Sequence, residues 1–230
     1  VPGSVNEPAH TTDVNCTGTA KLLEAARDTE VERVIIASSA AVYGSDVDVP
    51  VAEYHPVDPE SPYALSKYYT EQLAMQCADQ SELETIALRY FNVFGPRQDP
   101  DGEYAAVIPK FIQLLLAGEH PVIYGDGEQS RDFVHVQDVI EANLLAANVE
   151  CSGEVFNVGR EERITINELV EVLNDVLGTA LKPQYDDRRP SDIRHSQASI
   201  SKAQSVLRYR PNVEFTDGIR DTIDYFKKGP

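Results

Sequence analysis

The sequence predicts an α/β fold with a doubly wound parallel sheet, on three observations. Short segments with runs of consecutive apolar residues, at 34–37, within 84–90 and at 155–158, alternate with segments of helical periodicity. Continuous rather than alternating hydrophobicity marks strands covered on both faces, the usual condition of a parallel sheet. The chain has 230 residues, 42% hydrophobic and 25% charged, enough to bury a sizeable core, which excludes a disordered chain or a disulfide-stapled miniprotein.

The elements follow in order. From residue 11 to 27, Val14, Ala20, Leu22, Leu23 and Ala26 fall mostly at helical spacing. The strand at 34–37 ends in Ser38-Ser39, after which Gly44, Pro50, Pro56 and Pro59 impose a long loop. Pro62 suits the first turn of a helix capped by Ser61, with Tyr63, Leu65, Tyr69, Leu73, Met75 and Cys77 as its burial candidates. The strand 84–90 completes an αβαβ order. Beyond it, 106–117, 139–147, 166–177 and 216–226 read as helices, the third capped by Thr165. Segments 122–124, 132–136 and 155–158 read as strands. With no internal repeat and no low-complexity linker, the second half is expected to be a lobe packed on the first.

Charge narrows the partners. Lys and Arg total 20 against 38 Asp and Glu, a net charge of -18 that repels phosphate polymers and anionic lipid, so no nucleic acid and no membrane partner is expected. The acids are spread along the chain as a solvating surface, of the kind a salt-rich cytosol favours. The start, VPGSVNEPAH, lacks the basic flank and apolar stretch of a secretion signal, and a cytoplasmic protein is predicted. Cys16, Cys77 and Cys151 are odd in number and far apart, which indicates reduced thiols and no metal site.

Chemistry concentrates at the first two strands. Tyr63 and Lys67 lie four residues apart and share one helix face, while Ser39 sits at a parallel strand end, where such sheets bind ligands. A phenol acts as a base near neutrality only when a close cation favours its phenolate, and a lysine one turn along supplies that cation. An exposed Tyr-Lys contact is the plainer alternative. No GxGxxG turn in a strand-turn-helix context is present in the sequence, and Gly125-Asp-Gly127 has the wrong surroundings.

Three motifs in order, Ala37-Ser-Ser-Ala-Ala-Val-Tyr-Gly44, Ser61-Pro-Tyr-Ala-Leu-Ser-Lys67 and Leu88-Arg-Tyr-Phe-Asn-Val-Phe-Gly-Pro-Arg97, resemble the extended short-chain dehydrogenase/reductase family of nucleotide-sugar epimerases and dehydratases. The likeness continues through Gly125–Val136 and Arg188–Gln197 and is greatest to UDP-glucose and UDP-N-acetylglucosamine 4-epimerases. It implies a Rossmann-like sheet with NAD as cofactor and a UDP-sugar as substrate. Residues 1–92 would belong to the NAD-binding domain, with 133–158 returning to it, and 93–230 mainly to a smaller α/β lobe for the nucleotide sugar. Ser39, Tyr63 and Lys67 would be catalytic: Tyr63 takes the proton of the sugar 4-hydroxyl, Lys67 favours its phenolate and holds the nicotinamide ribose, and Ser39 bonds the 4-oxygen. Ser38 and Tyr90 would join Tyr63 and Lys67 at the cofactor. Asn92, Arg131, Arg189 and Asp192 would meet the UDP diphosphate and ribose, and Ser196 would form the wall beside the sugar. The helices around 11–27 and 62–79 would pair in a homodimer as a four-helix bundle.

From the residues alone, Asn92 also reads as a turn residue before Gly95-Pro96, and Arg188-Arg189 as an exposed pair balancing Asp186-Asp187. His135 reads as a packed strand histidine and Asp138 as a helix cap. Dehydratases of the resembled family place an acid after the hydroxyl at the strand end, where this chain has Ala40 and Ala41, so epimerisation is favoured. Dehydration, decarboxylation and an inactive, ligand-binding or dimerising remnant are the alternatives. The resemblance also places 1–5 in a loop after the fourth strand, so that on the order of 70 to 80 residues, at about 30 per βα unit, would stand before it. NAD retention by these 230 residues alone is therefore not expected.

Overall fold

The computed structural model describes residues 1–29, 31–100, 106–188 and 193–228. In chain order the elements are α1 (Pro2–Asn6), α2 (Pro8–Thr12), a π-helical turn (Asp13–Thr17), α3 (Gly18–Asp28), β1 (Arg33–Ser39), a 3-10 turn (Ala40–Tyr43), α4 (Pro62–Gln80), β2 (Glu84–Tyr90) and β3 (Asn92–Phe94). There follow α5 (Val107–Leu116), β4 (Val122–Tyr124), β5 (Ser130–Arg131), β6 (Phe133–His135), α6 (Val136–Asn148), β7 (Glu154–Val158) and β8 (Ile164–Thr165). The described chain ends with α7 (Ile166–Leu177), β9 (Gln184–Asp186), α8 (Ser201–Val206) and α9 (Phe215–Lys228).

The central sheet is parallel, in the order β1-β2-β7, with Ser39 opposite Tyr90 and Leu88 opposite Phe156. Successive side chains of β2 point to opposite faces and both faces are covered, which explains the unbroken apolar run. Ala87 packs with Leu23, Ala26 and Ala74 of α3 and α4, whereas Ile86 and Leu88 join Ala142 and Ala146 of α6, Phe156, Ala203 of α8 and Tyr209. A second core of Phe94, Ile112, Ile123, Phe133, Leu169, Leu173 and Ile219 unites α5, α7 and α9 around the short β3-β6 pair. Outside this sheet, β3-β6 and β4-β9 are parallel pairs, while the separate β5-β8 pair is antiparallel.

One burial expectation fails. In α4, Leu65 and Tyr69 are exposed; the face turned inward carries Ala64, Ser66, Thr70, Glu71 and Ala74. Small side chains allow the helix to lie close on β1 and β2, and the one large buried group is ionic, so hydrophobicity did not mark the inner face. Val14 and Leu22 are likewise exposed while Leu23 and Ala26 are buried. Asp138 does not cap its own helix. The His135 side chain does that, accepting from the Gln137 N–H, and the Asp138 carboxylate accepts the N–H groups of Asn212 and Val213. Asn92 is a strand residue, its N–H bonded to the Asp132 carbonyl.

Candidate active site

The C-terminal ends of β1 and β2 open onto a cavity of about 240 Å³. Ser39, Tyr63, Tyr90, Asn92, Arg131 and Ser196 line it. Ser39 is the last residue of β1, and its Oγ accepts the Ala41 N–H at 3.2 Å, which caps the 3-10 turn and fixes the hydroxyl. Gly44 closes that turn with φ +79, and a Cβ there would lie 2.5 Å from the Asp58 carbonyl oxygen, so only glycine fits.

Tyr63 stands in the first turn of α4. Ser61 Oγ accepts the Ala64 N–H, and the Tyr63 N–H donates to Ser4 Oγ at 3.0 Å. One turn on, Lys67 Nζ lies 5.8 Å from the Tyr63 ring centroid and donates to the Ala37 carbonyl at 2.9 Å. Burial pulls the Lys67 pKa below the ordinary lysine value. An ammonium has three donors, so a single carbonyl leaves it capacity for a ligand at the edge of β1, where the Ala37 side chain is exposed.

Ser38, expected beside the cofactor, does not line the cavity. Its side chain is directed away from the cavity, because strand side chains alternate; it is buried and its Oγ donates to Glu71 Oε2 at 2.9 Å. Tyr90 donates its hydroxyl to Asn143 Oδ1 at 3.0 Å, and burial raises its pKa while that bond opposes the shift. Arg131 and Ser196 are brought together by β5, whose Ser130 carbonyl accepts both the Ser196 N–H and Arg131 Nη1. Arg189 and Asp192 lie outside the described residues.

Sequence reasoning missed Tyr43 and His195, which also line the cavity. Tyr43 donates to Asn157 Oδ1 at 2.7 Å, and His195 Nδ1 lies 2.9 Å from Ser130 Oγ. Both lie inside segments that carry the resemblance, Ala37–Gly44 and Arg188–Gln197, but nothing in their spacing singled them out there. Despite the net charge of -18, no carboxylate is among the described lining residues, while Arg131 is, so the cavity suits an anionic ligand. Among the described residues, no group of three or more His, Cys, Asp and Glu is placed to hold a metal.

These features define an α/β protein with a cavity at the carboxyl edge of a parallel sheet, where such folds bind ligands, and with a tyrosine and a lysine one helical turn apart beside it. The chain belongs to the NAD dependent epimerase/dehydratase family, which matches residues 1–159, and NAD is the cofactor of that family. It is 39% identical over 228 residues to a putative UDP-glucose 4-epimerase of Methanocaldococcus jannaschii, covering 99% of this chain and 73% of the relative. A UDP-N-acetylglucosamine 4-epimerase from Methanobrevibacter ruminantium, solved with UDP-N-acetylmuramic acid, superposes with a TM-score of 0.96 at 43% identity, over 99% of this chain and 73% of that one. A UDP-glucose 4-epimerase of Thermotoga maritima, solved with UDP-glucose, gives 0.94 at 40% identity over 98% and 73%.

Proposed function

We propose that the chain carries the acid-base and sugar site of an NAD-dependent UDP-sugar 4-epimerase, which interconverts UDP-glucose and UDP-galactose or their N-acetyl derivatives through a 4-keto sugar. The observation that carries this reading is the common cavity of Ser39 and Tyr63, with Lys67 against the Tyr63 ring. Tyr63 takes the 4-hydroxyl proton and later returns it, and Ser39 holds the 4-oxygen by a hydrogen bond. Lys67 supplies the positive charge that favours a phenolate at Tyr63. The exposed Ala37 edge and the remaining donors of Lys67 fit a nicotinamide ribose beside Tyr63. The chemistry that NAD supplies when bound is reversible acceptance of hydride from the sugar C4.

The cavity is smaller than the roughly 300–1,000 Å³ of clefts that enclose drug-sized ligands, so only the sugar end would be enclosed. Asn92 and Arg131, with Arg189 and Asp192, would hold the UDP diphosphate and ribose, a guanidinium fork being the natural partner of a phosphate. Ser196 is small, which leaves room for an acetamido group. Ala40 and Ala41 line the cavity where a dehydratase needs an acid, which favours epimerisation over loss of water.

We also read the protein as a cytoplasmic homodimer, with residues 1–92 and the returning 133–158 as the cofactor domain and 93–230 mainly as the sugar-nucleotide lobe. Val14 of the π-helical turn, Leu22 of α3, and Leu65 and Tyr69 of α4 are exposed apolar groups suited to a four-helix pairing. The three unpaired cysteines suit a reducing compartment, and no described helix is long and apolar enough to cross a membrane. Incubation with NAD and UDP-glucose tests the central reading: UDP-galactose is expected, its formation abolished by Tyr63→Phe. A 4-keto-6-deoxy product would make the protein a dehydratase. Binding of both NAD and UDP-sugar without turnover would make it a binding protein.

A further inference from the structure

A buried ion pair stands directly behind the proposed acid-base residues. Glu71 and Arg89 are 0% and 4% exposed, and the guanidinium grips the carboxylate with two bonds, Nε to Oε2 at 2.9 Å and Nη2 to Oε1 at 2.6 Å. Ser38 Oγ adds a third bond to Oε2 at 2.9 Å. Ser38 and Arg89 are register partners on β1 and β2, so both strands converge on one carboxylate of α4. Their C-terminal neighbours, Ser39 and Tyr90, are the next register pair, and these line the cavity.

On α4 the spacing is equally pointed. Tyr63, Lys67 and Glu71 follow one another at intervals of four and form a single stripe on the helix. The stripe lies along β1, where Lys67 bonds the Ala37 carbonyl and Glu71 receives Ser38. The same guanidinium lies 4.7 Å from the Tyr43 ring centroid, and Tyr43 is itself a wall of the cavity. One ion pair therefore touches the elements that bear Ser39, Tyr63, Lys67 and Tyr43.

Net stability does not account for such a pair, since desolvating two charges offsets most of their attraction and an apolar pair of similar volume is often as stable or more so. What the pair supplies is directional. The small side chains on the inner face of α4 would tolerate a slide or rotation of the helix over the sheet, whereas a bidentate carboxylate with a third bond has one seat.

We infer that Glu71 and Arg89 are positioning residues: together with Ser38 they fix the rotation and register of α4 on β1 and β2, and so set Tyr63 and Lys67 against Ser39. The inference rests on the proposed epimerase site but acts through geometry that can be read without turnover.

The test is the double variant Glu71→Leu/Arg89→Met. Its unfolding midpoint is expected at or above that of the parent, with kcat for the UDP-sugar down roughly 10–100-fold, the range a small misplacement of reacting groups produces, and KM within about twofold. Independently of activity, the Lys67 ammonium, assigned through Lys67→Met, should give a protected signal in lysine-¹⁵N NMR of the parent and lose it in the double variant. A folded double variant with parental kcat and a parental Lys67 signal overturns the inference. Should that variant fail to fold, Ser38→Ala, which removes only the bond from β1, decides: a several-fold fall in kcat with a weakened Lys67 signal supports it, and no change in either refutes it. If the parent binds NAD and UDP-sugar but turns nothing over, the epimerase reading fails; wherever the parent shows no turnover, the Lys67 signal alone decides the positioning role.

Discussion

Ser130 and His195 face each other across an isolated parallel bridge, with His195 Nδ1 2.9 Å from Ser130 Oγ, immediately beside Arg131 and Ser196. Arg131 and Ser196 follow them in sequence and line the cavity. The pair thus braces the backbone that presents Arg131, proposed to hold phosphate, and Ser196, proposed to wall the sugar. Burial lowers the His195 pKa, as do the guanidiniums of Arg163, Arg194 and Arg131.

Loss of that brace should weaken UDP binding. Ser130→Ala or His195→Leu removes one hydrogen bond of about 1 kcal/mol, equivalent to roughly a fivefold rise in Kd for UDP by calorimetry. His195→Asn, which keeps a polar group near the Nδ1 position, should recover most of the affinity.

Ser196 should govern the sugar. Ser196→Tyr is expected to suppress turnover of the N-acetyl substrate at least roughly tenfold while sparing UDP-glucose, as measured by kcat/KM on each. Equal loss on both would remove Ser196 from the sugar wall.

Asp132 should set a pH dependence of stability. Its buried carboxylate accepts N–H groups from Arg160, Glu161 and Ala198, and burial pushes its pKa up to about 6 against those bonds. The folded chain therefore binds the proton more tightly than the unfolded one. The resulting stability is full below the unfolded carboxylate pKa of about 4 and is lost as pH rises through about 6. Asp132→Asn replaces an acceptor by a donor facing N–H groups and should cost about 1–3 kcal/mol in urea unfolding, while flattening the pH 4–6 profile.

Much of this molecule was legible in advance where local chemistry was strong. The helix at Ile166–Leu177 has the bounds its periodicity predicts, because Thr165 and Glu168 form a reciprocal cap and Gly178 closes the other end in a left-handed turn. Ser61-Pro62 marked the start of α4 for the same reason. The strand at 122–124 is legible in its apolar residues, but β5, β8 and β9, of two or three residues each, have no periodicity to read, and their register comes from tertiary packing. The spacing of Tyr63 and Lys67 pointed to the site. Glu71, one turn further, and Arg89, a charge inside an apolar strand, extended the same signal, but their partnership existed only once the sheet brought β1 and β2 under α4.

The most direct measurement follows deuterium at the sugar C4. UDP-glucose labelled there is incubated with the protein and unlabelled NAD, and the products are analysed by NMR and mass spectrometry. UDP-galactose retaining deuterium at C4, formed by the parent and not by Tyr63→Phe, is the expected result. Deuterium relocated to C6 of a 4-keto product, or UDP-galactose formed equally by Tyr63→Phe, would contradict the account.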